Sequence, residues 1–143
     1  MFEEITQFLY QYKNKQLESE EIAKLQDEFK NYKIKIEESK YFGEFYNNYL
    51  NIKGYTYRLD NPKMRLFYTF QEAIYSIDLA KLTRDNDAIL LNTIVYILVL
   101  NDCIDEFLGN NIDENVKNEA IEYYKNEQKR VSAENKKYHM YQN

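Results

Sequence analysis

The sequence predicts an all-α domain, a single compact bundle of five or six helices around a central apolar helix at about residues 86–108. Three observations carry this. Gly and Pro number only 3 and 1, too few for a sandwich, a barrel or a Gly-rich phosphate-binding fold, each of which needs special backbone angles at many turns. Apolar residues recur at intervals of three and four along most of the chain, the period of a helix face. The 143 residues are also one domain's worth. Surface scaling for this mass gives roughly 7,900 Å² folded against roughly 25,000 Å² unfolded, so about 70% of the surface can be buried without disulfides or metals.

The first stripe is Phe2, Ile5, Leu9 and Tyr12 in a segment running to Leu17, with Asn14 and Lys15 starting its polar end. Ser19 is the expected N-cap of the next helix, with Glu20 and Glu21 complementing its positive end. Ile22, Leu25, Phe29, Tyr32 and Ile36 follow at a 3-4-3-4 spacing with charge between, the pattern of a helix lying along another. Ser39 is the next expected cap, ahead of the aromatic face Phe42, Phe45, Tyr46, Tyr49 and Leu50. Gly43 weakens this helix locally, and Gly54 is its expected stop.

Gly54 to Asp60 has no helical period and reads as the longest ordered loop. Asn61-Pro62 then supplies an N-cap and a first helical residue, ahead of an inward stripe of Leu66, Phe67, Phe70, Ile74, Ile77 and Leu82. Thr83 to Asn86 is a polar turn, with Asp85 or Asn86 as cap of the central helix and Gly109 as its end. That helix is apolar nearly all round from Ile89 to Leu100, so neighbours must cover it on several sides. Asp113 caps a last helix with Val116, Ala120, Ile121 and Tyr124 inward. Beyond Val131 the periodicity thins, and residues 133–143 read as a frayed or partner-ordered tail of the single domain 1–143.

Composition narrows the function classes. One Cys and one His remove an internal disulfide, a Cys-based zinc site and most imidazole chemistry. Cys103, among Leu100, Ile104 and Phe107, reads as a buried hydrophobe. With 24 acidic against 19 basic residues and a net charge of -5, phosphate backbones are repelled on balance, and no direct nucleic-acid contact is expected. The locally basic stretch Lys125 to Lys137, with Lys129, Arg130 and Lys136, reads as a solvated helix face. The opening Met1-Phe2-Glu3-Glu4 has neither a basic nor an apolar leader segment, and the run Ala88 to Leu100 falls short of a membrane span. A cytoplasmic protein without a membrane segment is the expectation. Asn, Lys, Tyr and Ile, at 16, 15, 15 and 13 residues, all have AT-rich codons, which points to a low-GC bacterial, phage or plasmid genome.

Two constellations stand out. Asp102, Asp105 and Glu106 lie at i, i+3 and i+4, so they share one helix face. With Asp78 facing them, they are the best candidates for a divalent-cation site. The second is aromatic, Tyr46, Tyr49, Tyr55, Tyr57 and Tyr68, with Arg58 beside Tyr57. Tyr and Arg are the residue types that dominate protein-binding hot spots. The site residues expected from the sequence are therefore Tyr46, Tyr49, Tyr55, Tyr57, Arg58, Asp102, Asp105 and Glu106, all as contacts for a protein partner. They serve no catalytic role and hold no cofactor in this reading.

The expected function is that of a non-enzymatic intracellular protein-binding protein. Its small size, mild acidity and tyrosine content match mobile-element inhibitors of a nuclease or toxin, the anti-CRISPR, immunity and antitoxin classes. The partner would be a basic enzyme, approached with electrostatic steering. Two alternatives stand beside it. One is a self-assembling subunit of a phage or mobile-element complex, hence a homo-oligomer; the other is a Mg²⁺-dependent helical-bundle enzyme using the carboxylate cluster.

Overall fold

Six α-helices follow one another along the chain in a computed structural model that describes residues 2–142, with side chains described as far as residue 137. They are α1 (Phe2–Tyr10), α2 (Ser19–Glu37), α3 (Tyr41–Thr56), α4 (Pro62–Leu82), α5 (Asn86–Phe107) and α6 (Glu114–Gln142). There is no strand among the described residues, and the all-α bundle expected from the sequence is the architecture observed. Helices α1, α2, α3 and α4 all pack on α5, while α6 lies along α3 on the outside. The described part of the tail continues α6 as far as Gln142; the side chains of Tyr138, His139, Met140 and Tyr141, and all of Asn143, lie outside the described residues.

The central position of α5 follows from its composition. Every residue from Thr93 to Asn101 is buried, as are Cys103 and Ile104, so no face is left over for solvent. By length and apolar character α5 could cross a membrane, although the bare apolar run within it is shorter. Of its most apolar window, 61% is buried against the other helices, which is how a core helix satisfies the same pattern. A polar pair deep in this packing is Thr6 with Thr93, whose hydroxyls are 2.9 Å apart and so satisfy each other.

The caps divide into those the sequence located and those that tertiary packing moved. Asn61 accepts from the Met64 amide at 2.9 Å with Pro62 at the first helical position. Asp85 accepts from Ala88 at 3.0 Å, and Asp113 from Asn115 and Val116 at 3.0 and 3.2 Å. Gly109 closes α5 with φ +77°, a left-handed conformation that favours glycine.

Ser19, by contrast, is the first helical residue of α2, and Glu18 is the N-cap without a side-chain cap bond. The reason is Leu17, which is buried together with Ile22. These two hold the staple positions that set where the chain enters the helix. Ser39 closes α2 instead of opening α3, its hydroxyl donating to the Ile36 carbonyl at 2.6 Å. Helix α1 ends at Tyr10, and the chain turns through Asn14 at φ 62°, a conformation Asn tolerates better than most residues.

Two further expectations are corrected. Gly54 does not stop α3; it is buried inside the helix, which runs on to Thr56, so the expected loop shrinks to the turn after Tyr57. An added Cβ at Gly54 would collide with the Ala120 carbonyl oxygen and lie 2.6 Å from Tyr124 Cβ. The glycine is there to let α3 and α6 approach, not to end a helix. Leu82 is 81% exposed rather than inward. At 100° per residue it sits about 140° round from Ile77, and Ala80 takes the buried position instead.

Candidate functional site

The sequence-derived residues separate into an interior ionic lattice and a surface tyrosine cluster. The lattice is organised by the second half of α5. Asp102, Asp105 and Glu106 do share a face, and each reaches a different helix. Asp102 takes the Lys53 ammonium of α3 at 2.6 Å and the Tyr49 hydroxyl of the same helix, with Lys33 of α2 at 3.9 Å. Asp105 accepts from the Gln26 amide of α2 at 2.8 Å. Glu106 pairs with Arg65 of α4, whose Nη1 also donates to the Leu59 carbonyl at 2.8 Å. Lys53 is only 5% exposed at its side chain, and a charge held that deep needs a close counter-charge. Asp102 supplies it.

Tyr57 lies within the same lattice, its ring facing Arg65, Lys117 and Lys53 at 5.4, 5.0 and 5.9 Å from the centroid. Burial raises the Tyr57 and Tyr49 phenols above their ordinary range, and the carboxylates add to this, Glu106 and then Asp102 at Tyr57 and Asp102 at Tyr49. Cys103 sits beside Thr69, fully enclosed, and desolvation pushes its thiol up to about 12. That is the setting of an inert thiol rather than a nucleophile.

The carboxylates are thus turned towards protein donors of α2, α3 and α4. Asp78 does not face them; it pairs with Lys13 at 2.9 Å, near the turn after α1. Among the described residues no three His, Cys, Asp or Glu side chains come together in a way that could hold a metal ion.

The surface cluster lies where α3, α4 and α6 meet. Tyr55 and Tyr68 bring their hydroxyls to 3.2 Å, and the Tyr55 ring meets Tyr124 edge-on at 5.8 Å. Arg58 donates to the Tyr124 hydroxyl at 2.9 Å and stands over both rings, 5.5 Å from Tyr55 and 6.0 Å from Tyr124. Tyr46 is separate, donating to Glu119 of α6 at 3.2 Å. Tyr55 and Arg58 are thus together at the surface, whereas Tyr49, Tyr57, Asp102 and Glu106 are together inside.

Sequence reasoning missed the outer face of α4. Tyr75, Leu79 and Leu82 are 64, 50 and 81% exposed. Helix α4 packs on α5 through Leu66, Phe70, Ala73, Ile77 and Ala80. Tyr68, Glu72, Tyr75, Leu79 and Leu82 follow at intervals of four, three, four and three, which aligns them on the opposite side. The signal was present in the sequence, because an α4 with apolar residues on two opposite faces has one face more than a single core can cover. Comparison with known protein families, with curated proteins and with solved structures finds no match for this chain.

Proposed function

We propose that the protein acts by binding another protein, as a non-enzymatic inhibitor of a basic nuclease or toxin, and that the outer face of α4 is its principal contact. The observation that carries this reading is the row Tyr75, Leu79 and Leu82, large apolar side chains left in solvent by a chain that buries twelve others almost completely. Contiguous apolar surface of this kind is costly in water and marks contact surfaces. Tyr contributes rigid area with a polar tip, suited to an interface that must also exist uncovered. The net charge of -5 favours approach to a basic partner. Asp102 and Glu106 already hold internal cations, so in this reading steering comes from the exposed acids instead.

The test compares the wild-type chain with the triple variant Tyr75→Ser, Leu79→Gln, Leu82→Gln. Both are used to capture nucleases and toxins from a low-GC bacterial lysate, and each captured enzyme is then assayed with and without added protein. Inhibition of a captured enzyme by the wild type but not by the variant supports the reading. Equal inhibition by both moves the contact elsewhere. If light scattering instead finds a wild-type dimer that the variant abolishes, the α4 face is a self-association surface and the inhibitor reading falls.

A further inference from the structure

A cavity of about 310 Å³ lies between α3, α4, α5 and α6, at the head of the α4 outer face. Its walls include the rings of Tyr55, Tyr68, Tyr96 and Tyr124, one from each of the four helices, together with Glu72 and Asn51. No Lys or Arg lines it. Glu72 is the only charged side chain of the lining, and Ile52, Thr56, Thr69 and Gln128 complete the wall. Ring faces carry negative electrostatic potential and attract cations within about 6 Å of the centroid. Glu72 takes part in none of the ion pairs formed among the described residues. The Asn51 Oδ1 atom is buried and accepts no hydrogen bond, although buried acceptors normally find a donor.

We propose that this cavity is a receptor for a single organic cation, an alkylammonium or guanidinium head. An anion would be repelled by Glu72, and a neutral guest would forgo the attraction of the one charged group in the wall. A cationic N–H group pairs with Glu72 and lies among the four tyrosines. The chain offers its own precedent, since Arg58, which does not line the cavity, already stands over Tyr55 and Tyr124. The volume equals that of roughly ten waters at ~30 Å³ each. It accommodates the head of a lysine, an arginine or a small quaternary amine. Tyr68 and Glu72 continue the row of Tyr75, Leu79 and Leu82, so the inference deepens the binding reading above, and it rests on that reading only for the source of the cation.

The test is titration of the tyrosine-ring NMR signals with Nα-acetyl-lysine amide, Nα-acetyl-arginine amide and choline. Nα-acetyl-norleucine amide and 3,3-dimethylbutanol serve as neutral counterparts. Saturable shifts at Tyr55, Tyr68, Tyr96 and Tyr124 are expected, with a cation bound roughly tenfold more tightly than its neutral counterpart. Glu72→Gln should erase most of that preference while leaving the unliganded spectrum folded. Preference for lysine or arginine amide identifies a partner's side chain as the source, and preference for choline a free quaternary amine. Equal binding of cation and neutral counterpart, or no saturable shift with any cation, overturns the proposal. Neither outcome depends on the α4 triple variant, so the cavity and the protein-binding reading fail separately.

Discussion

Lys53 and Asp102 form the pair whose loss should cost the most at the scale of single residues. Breaking a buried ion pair by removing one partner costs about 3–5 kcal/mol, because the remaining charge is stranded. Lys53→Met belongs near the lower end, about 3 kcal/mol, since Asp102 is 16% exposed and keeps Tyr49 and the distant Lys33. In urea unfolding, Lys53→Met combined with Asp102→Asn should lose less than the sum of the two single variants. Strict additivity would mean the two groups do not stabilise each other.

The same region sets an alkaline limit. Tyr49, Tyr57 and Cys103 all have folded values raised by burial, the thiol to about 12. The folded state therefore holds protons that the unfolded state releases. This stability is fully present below the unfolded values of about 8.5 for the thiol and 10 for the phenols, and it is lost as pH rises through the folded ones. Tm should be level to about pH 8.5 and fall progressively above about pH 9. Cys103 should resist iodoacetamide in the native protein at about pH 8 and react once urea unfolds it. Rapid native labelling would place the thiol at the surface.

Helix α3 shows how one residue type changes sign with its element. Gly43 is exposed and an added Cβ meets nothing within 4 Å, whereas at Gly54 the same Cβ would strike the backbone of α6. Gly→Ala inside a helix gains up to about 1 kcal/mol from backbone entropy. Overpacking costs about 1–3 kcal/mol when the obstacle cannot move aside, and a carbonyl of a packed helix cannot. Gly43→Ala should therefore raise Tm slightly and Gly54→Ala lower it, measured side by side by thermal melts. A rise in both would show that α6 yields freely. Sequence periodicity could not distinguish the two glycines, because the contact at Gly54 comes from Ala120, far along the chain. Helix α4 carries the complementary lesson. Its inward stripe is legible from Leu66 to Ile77, whereas Leu82 is apolar like those residues but lies about 140° round the helix from Ile77 and faces solvent.

At the scale of the molecule, the accessible surface is 9286 Å², above the roughly 7,900 Å² expected for this mass. The long α6 accounts for part of the excess. It spans about 43 Å at 1.5 Å per residue, and its residues from Gln128 to Lys137 are exposed. The outer face of α4 adds apolar surface to the total. Since Tyr75, Leu79 and Leu82 make no part of the buried core, the triple substitution used above should leave Tm nearly unchanged, with exposed sites contributing within about 0.5 kcal/mol each. A large drop would mean that the face supports the fold and is not held open for a partner.

The amino-acid sequence by itself determined the fold class, the central place of α5, the caps at Asn61 and Asp113, a cap at Asp85 or Asn86, the glycine end at Gly109 and the buried state of Cys103. All of these depend on local periodicity, on hydrogen bonds spanning two or three residues, or on an apolar composition that leaves no alternative to burial. Tertiary structure alone decided that Lys53 and Arg65 would hold the carboxylates of α5, that Gly54 would be a crossing point, and that tyrosines of four helices would converge on Glu72 and Asn51. Those outcomes depend on distances between residues 13 to 79 positions apart in the chain. Such distances are set by how helices pack, and no periodicity within one helix records them.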